Sequence, residues 1–378
     1  MAQVTNSVSL QAPVWIEVDL AAIRHNFRAV RQFVPTRVKI LTVVKANAYG
    51  HGILPVARAL TEAGTDALAV ASVVEAIALR QAGMEGPILI LGQCLPEEAP
   101  EVVKHGLIPS LGEFTAAAAL SQAACASEKP VSFHLKVDTG MSRYGAWHQE
   151  AEDLYQRILD LPGLKPQGIF THLAMAGQNV EATQEQLLHF ERLLRHLQER
   201  GLPMGLRHAA NSVGLIKFPS SHWDLVRTGL LLYGASPLKE GNPLELRPAL
   251  SLKSRIRFLK TIQPGQTVSY GGTFRAQRQT LVATVPVGYA HGYTRALSDR
   301  ADLLIRGSRA RVVGRVTMED LMADVTDIPA VEVGDEVVLI GHQGNDAVTA
   351  EDLARAARTI PYEILVGLSP NIPRVYNG

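Results

Sequence analysis

The chain has 378 residues, 47% of them hydrophobic and 19% charged, with 37 basic residues against 36 acidic ones. This length buries a large core and predicts two domains, and the near-neutral charge without a long basic block argues against nucleic-acid and anionic-membrane partners. No apolar run reaches the length of a membrane span, and the opening MAQVTNSVSLQAPVW has neither the basic nor the apolar region of a secretion signal.

Cys94 and Cys125 lie outside any CxxC pattern, so no metal site or redox pair is expected. Two lone thiols fit a reducing compartment, and the expected location is the cytoplasm. The first dozen residues read as unstructured. Trp15 to Asp19 reads as a strand, in a segment 12 to 19 that could pair with a β domain, and Leu20 to Phe33 as an amphipathic helix.

From Val38 onward, apolar runs recur at 38 to 44, 67 to 71, 88 to 91, 107 to 111, 131 to 137, 166 to 170, 206 to 209 and 223 to 227. Helical stretches separate them, at 53 to 63, 73 to 82, 97 to 105, 114 to 126, 149 to 160, 181 to 200 and 212 to 218. Eight strands alternating with helices predict an α/β fold, a closed (β/α)8 TIM-like barrel over residues 1 to 245. Beyond Leu246, alternating segments such as TLVATVPVG and VEVGDEVVLIG, with Gly and Pro-Gly turns, predict a mostly antiparallel β domain over 246 to 378. One helix is expected inside it, Thr349 to Arg358, and the boundary is expected in the stretch 235 to 248.

The stretch that organises the chain is Val43-Val44-Lys45-Ala46-Asn47-Ala48-Tyr49-Gly50-His51-Gly52, where an apolar run ends in a lysine and a glycine-flanked turn. A lysine at the mouth of a buried strand is desolvated, which favours the neutral amine that attacks carbonyls. An ordinary lysine reaching to solvent gives the same local pattern. Lys45, Arg143, His172, Ser212 and Arg227 each fall at or just past the C-terminal end of a different predicted strand, the face where such barrels build active sites.

The string VVKANAYGHG resembles the pyridoxal-phosphate attachment motif of bacterial alanine racemases. LKVDTGMSRYG, THLA, ANS, VRTGLLLYG, GYAHGY, VTMED and PYEILVGLSPNIPRVY resemble further blocks of that family, in its order and over nearly the whole chain. The resemblance implies pyridoxal 5'-phosphate as cofactor, a homodimer with shared active sites, and interconversion of L-alanine and D-alanine, the latter for peptidoglycan.

It also implies roles for particular residues. Lys45 would bind the cofactor aldehyde and act as one of two proton-transfer groups, with Tyr289, from the partner's second domain, as the other. Tyr49, Ser212, Gly229, Leu230 and Tyr362 would hold the phosphate, Asn211 and His172 would also bind the cofactor, and Arg227 would face the pyridine nitrogen. A guanidinium keeps that nitrogen unprotonated, so the ring withdraws electrons less strongly and reprotonation at Cα is favoured. Arg143 and Met318 would lie at the substrate, and Lys136, before Arg143, matches a position often carboxylated in relatives.

Three positions depart from the usual pattern: His291, Glu319 and Gly177 stand where aspartates are common. They alter charge and bulk around the expected entrance, which keeps a broad-specificity amino-acid racemase on the same scaffold as the alternative. A decarboxylase, a non-catalytic cofactor carrier and a metal or sugar-phosphate barrel fit the sequence less well, the carrier because a second domain bearing Tyr289 is present.

Overall fold

The computed structural model describes residues 12–238 and 241–378. Nearly all of the first dozen residues, expected to be unstructured, therefore lie outside the described residues, as do residues 239 and 240 of the expected boundary stretch.

The chain enters through β1 (Val14–Asp19), whose Val14, Ile16 and Val18 are buried. Asp19 ends the strand and caps α1 (Leu20–Phe33), its carboxylate accepting from the amide of Ala22 at 2.9 Å. Then come β2 (Lys39–Val43), β3 (Ala67–Val70), β4 (Ile88–Gln93), β5 (Ile108–Leu111), β6 (Val131–Asp138), β7 (Leu164–Phe170), β8 (Leu206–His208) and β9 (Leu225–Thr228). Their branched and aliphatic side chains are buried as expected of a parallel sheet covered on its outer face.

Each of β2 to β7 pairs in parallel with the next, and β9 returns to β2 in the register Leu225 to Lys39 and Thr228 to Thr42. Between β8 and β9 the join consists of backbone bonds from Asp224 N to Arg207 O and from Arg227 N to Ala210 O, both 3.0 Å. The ring is thus an eight-stranded parallel barrel, with its least regular join between the last two strands. Helices α2 (Ile53–Glu62), α3 (Val73–Gln81), α4 (Ala99–Lys104), α5 (Phe114–Ala126), α6 (Ala151–Leu159), α7 (Val180–Glu199) and α8 (Ser212–Lys217) occupy the connections.

The second sheet is mostly antiparallel. It runs in the order Phe258–Ile262, Thr280–Val285, Leu321–Asp324, Ser308–Val312, Asp302–Ile305, Glu336–Gln343, Leu250–Arg255, β1 and Arg374–Asn377. Only its last pairing, β1 with Arg374–Asn377, is parallel. The expected helix is present as Ala350–Ala357, started by Thr349, whose hydroxyl accepts from the amide of Asp352 at 3.1 Å. A second helix, Pro361–Val366, was not expected: six residues are too few to show a helical period, and the proline at its first position is the one local signal.

Candidate active site

Lys45 lies two residues beyond β2, at the C-terminal mouth of the barrel. Burial and the nearby Arg143 guanidinium lower the pKa of its amine, and Glu75 pulls the other way. Among the described residues no hydrogen bond or ion pair occupies that amine.

Arg227, on β9, is buried among neutral partners. Its Nη1 donates to His208 Nδ1 at 2.9 Å, and its Nη2 donates to the carbonyls of Thr171 and Ala209, each at 2.8 Å, and to His172 Nδ1 at 3.3 Å. Burial pulls its pKa down to about 9, so it stays a cation at neutral pH. Burial first, and then that cation, hold His172 and His208 well below the usual histidine range, so both are neutral acceptors toward it. No hydrogen bond among the described residues uses the Nε donor of Arg227.

Lys136, on β6, is buried beside the same group. Its Nζ donates to the Val137 carbonyl at 3.2 Å and sits 4.8 Å from the centre of the Phe170 ring. Burial, with help from Arg227 and Arg143 and against Asp138, lowers its pKa to about 7. Arg143 is exposed, in the loop after β6, and Asp138 shapes that loop by accepting from the amides of Gly140, Met141 and Arg143 at 2.8 to 3.1 Å.

Tyr49 stacks on Tyr233 at 4.7 Å and is tilted against Tyr362 at 6.0 Å. Tyr233 is held by its hydroxyl, which donates to the Val43 carbonyl at 2.9 Å. The Ser212 hydroxyl accepts from the Gly229 amide at 3.2 Å, and Asn211 caps α8 through the amide of Gly214 at 2.9 Å. Gly229 is needed here for space: a Cβ on it would stand 2.4 Å from the Tyr49 hydroxyl. Leu230 follows it at the head of the short turn Leu230–Tyr233, and no hydrogen bond among the described residues uses its amide.

Two expected residues stand apart. Tyr289 and Met318 belong to the second sheet's side of the molecule, where the Tyr289 amide donates to the Thr317 carbonyl at 3.0 Å. They are 45% and 57% exposed, and no hydrogen bond among the described residues joins Tyr289 to His172 or Arg227 in the single chain.

Sequence reasoning missed Glu75, His134, Phe170 and His208. His208 and His134 are bonded at 2.8 Å, and Phe170 stacks flat on His208 at 4.7 Å. The signal available for His208 was its place at the end of a barrel strand; for Glu75 it was the spacing Ser72-x-x-Glu75 before a helix.

Residues 18–237 match the family model described as alanine racemase, N-terminal domain, and residues 249–376 match that described as alanine racemase, C-terminal domain. The chain belongs to the alanine racemase family. Among curated relatives, the alanine racemase of Symbiobacterium thermophilum is 44% identical over 368 residues, covering 97% of each chain. That of Halothermothrix orenii is 43% identical over 366 residues, 96% of this chain and 97% of the other. Among solved structures, alanine racemase from E. faecalis superposes with a TM-score of 0.92 at 32% identity, covering 98% of this chain and 100% of that one. The alanine racemase from Bacillus anthracis with bound L-Ala-P does so at 0.91 and 34%, covering 98% and 96%. The alanine racemase fold is therefore present over the whole described chain.

Proposed function

We propose that this protein is an alanine racemase that interconverts L-alanine and D-alanine, with pyridoxal 5'-phosphate as its cofactor. The observation that carries the cofactor is the pairing of a desolvated Lys45 amine, which makes no hydrogen bond among the described residues, with a cradle built around Tyr49, Ser212 and Gly229. In that cradle the absence of a side chain on Gly229 makes room for the Tyr49 hydroxyl, and the hydroxyls of Tyr49 and Ser212 and the amide of Leu230 would be the donors for a phosphate. Arg227 adds a fixed cation with a free Nε donor, suited to an unprotonated ring nitrogen. Asn211 supports the cradle by capping α8, and Tyr362 packs beside Tyr49.

When bound, the cofactor supplies an aldehyde for amine exchange and an electron-withdrawing ring that acidifies Cα. The chain's own groups then move the proton. Lys45 takes or returns it at Nζ on one face, serving the D-enantiomer, and Tyr289 does so at its hydroxyl oxygen on the other, serving the L-enantiomer. Arg143 and Met318 orient the substrate, and His172 stays neutral while it steadies Arg227.

The exposure of Tyr289, which no hydrogen bond among the described residues ties to His172 or Arg227 of its own chain, supports a homodimer in which each second domain completes the partner's site. The two sheets support a division into a barrel domain, residues 1 to 245, and a β domain, residues 246 to 378, with β1 of the first part pairing into the sheet of the second. Lys136 is the site proposed for carboxylation, since a pKa of about 7 leaves a neutral amine to attack carbon dioxide, losing one proton as the C–N bond forms. The resulting anion would balance Arg143 and Arg227. With this activity we propose a cytoplasmic role in supplying D-alanine for peptidoglycan.

The test is to load the purified protein with pyridoxal phosphate, reduce it with borohydride, map the labelled peptide and measure alanine racemisation. A label on Lys45 with turnover of alanine supports the reading. An unlabelled protein that racemises nothing would end it. Rates with serine, lysine and arginine would reveal a broader range arising from His291, Glu319 and Gly177.

A further inference from the structure

Directly after Lys45 the backbone winds the wrong way. Ala46, Asn47, Ala48 and Tyr49 have φ of 52°, 53°, 53° and 53°, a left-handed helical turn. Such a turn costs non-glycine residues roughly 1–2 kcal/mol each, so contacts from outside must hold it. At its far end the amide of Ile53 donates to the Asn47 side chain at 2.9 Å, and Arg374 Nε donates to the Gly50 carbonyl at 2.8 Å. At its near end the side-chain partner is Glu75. One carboxylate oxygen accepts from the amide of Ala46 at 2.7 Å, and the other from the amide of Ala71, also at 2.7 Å, just past β3.

The local sequence asks something else of Glu75. Ser72 caps α3, its hydroxyl accepting from the Glu75 amide at 3.3 Å. In a Ser-x-x-Glu capping box the glutamate turns back to the amide of the serine. Here the carboxylate reaches past Ser72 to Ala71 and across to Ala46. A residue that breaks its local rule marks a place where function constrains the fold. Charge points the same way: the groups facing the Lys45 amine are Arg143 and His172 from barrel loops and Glu75 from α3, and Glu75 is the anion among them.

We propose that Glu75 is a positioning residue for Lys45, its carboxylate tying the first amide of the left-handed turn to the end of the neighbouring strand and so fixing where the amine stands. This rests on the reading of Lys45 as the cofactor-bearing base, but its first test needs neither cofactor nor turnover.

That test is competitive acetylation of the whole, unloaded protein across pH, with Lys45 and the exposed Lys104 followed by peptide mass. Glu75→Gln is expected to move the Lys45 labelling midpoint to lower pH, because the anion that favours the protonated amine is gone, and to leave the labelling of Lys104 unchanged. Once loaded, the same variant should lose kcat on the order of 10- to 100-fold with KM little altered, the mark of a misplaced group. Glu75→Asp keeps the charge but cannot span both amides, so it should retain the labelling midpoint and still lose kcat. Ser72→Ala removes the cap alone and should lower the melting temperature while leaving Lys45 labelling where it was.

Overlapping Lys45 labelling curves for Glu75→Gln and the natural protein would overturn the proposal, as would an equal shift in Ser72→Ala, or an unaltered kcat in Glu75→Asp. If Lys45 never binds the cofactor even in the natural protein, the functional reading fails separately, and the labelling still decides the role of Glu75.

Discussion

Arg227 Nη1 donates to His208 Nδ1 across 2.9 Å, and that bond settles the protons of two histidines. A guanidinium can only donate, so His208 carries its own proton on Nε2 and donates it to His134 Nδ1, 2.8 Å away. Burial, and then Arg227, hold His134 down to about 3, so the row stays neutral at any working pH. His208→Phe would keep the flat stack on Phe170 and leave one guanidinium donor without an acceptor. Urea unfolding should show about 1.5–3 kcal/mol less stability, the range for a hydrogen bond to a charged group; an unchanged midpoint would mean that Arg227 finds another partner.

Gly229→Ala tests the cradle. Its Cβ would meet the Tyr49 hydroxyl at 2.4 Å and the adjoining ring carbon at 3.0 Å. Moving Tyr49 costs about 1–3 kcal/mol, equivalent to roughly 5- to 150-fold in affinity for pyridoxal phosphate. Equilibrium dialysis measures it, and an affinity equal to that of the natural protein would place the phosphate elsewhere.

Tyr289→Phe removes a hydroxyl without disturbing the barrel. Cofactor loading should be normal, while proton removal from L-alanine falls by roughly 10²- to 10⁴-fold, the usual contribution of a general base. Deuterium uptake from heavy water into each enantiomer resolves the two faces, and equal uptake in variant and natural protein would take Tyr289 out of the mechanism.

His51 predicts an acid-side loss of stability. Its Nδ1 donates to the Tyr49 carbonyl at 2.9 Å, its Nε2 has no partner among the described residues, and burial lowers its pKa to about 4. Below the unfolded value near 6.5 the unfolded chain binds a proton that the folded chain refuses. The contribution is therefore whole above about pH 6.5 and declines toward pH 4, by about 1.4 kcal/mol per pH unit for one group. Urea midpoints at pH 7 and pH 5 should differ less in His51→Gln than in the natural protein.

The barrel was legible because its strands are short apolar runs bounded by helices: Lys39–Val43 and Val131–Asp138 both stand within a residue or so of where apolarity places them. The lysine at the first strand's mouth was legible for the same reason. The turn that follows was not. Alanine favours right-handed helix, so nothing in Ala46-Asn47-Ala48 announces a left-handed one; the contacts that impose it come from Glu75 and Arg374, far away in sequence. Glu75 was hidden by a capping pattern it fits in sequence and leaves in space. His208 and His134 were hidden because a strand-end histidine reveals its partner only once the barrel is closed.

Arg374 and Gly50 are 324 residues apart along the chain, yet one hydrogen bond joins them. During synthesis the barrel strands and Lys45 emerge long before the strand Arg374–Asn377, which must thread in beside β1 before that bond can form. Contacts of such long range close slowly, since loop entropy must be overcome before they reward the chain. The barrel can thus collapse early around a loosely held lysine, and chemical competence should arrive as a late, separate event in refolding, after most of the secondary structure has returned.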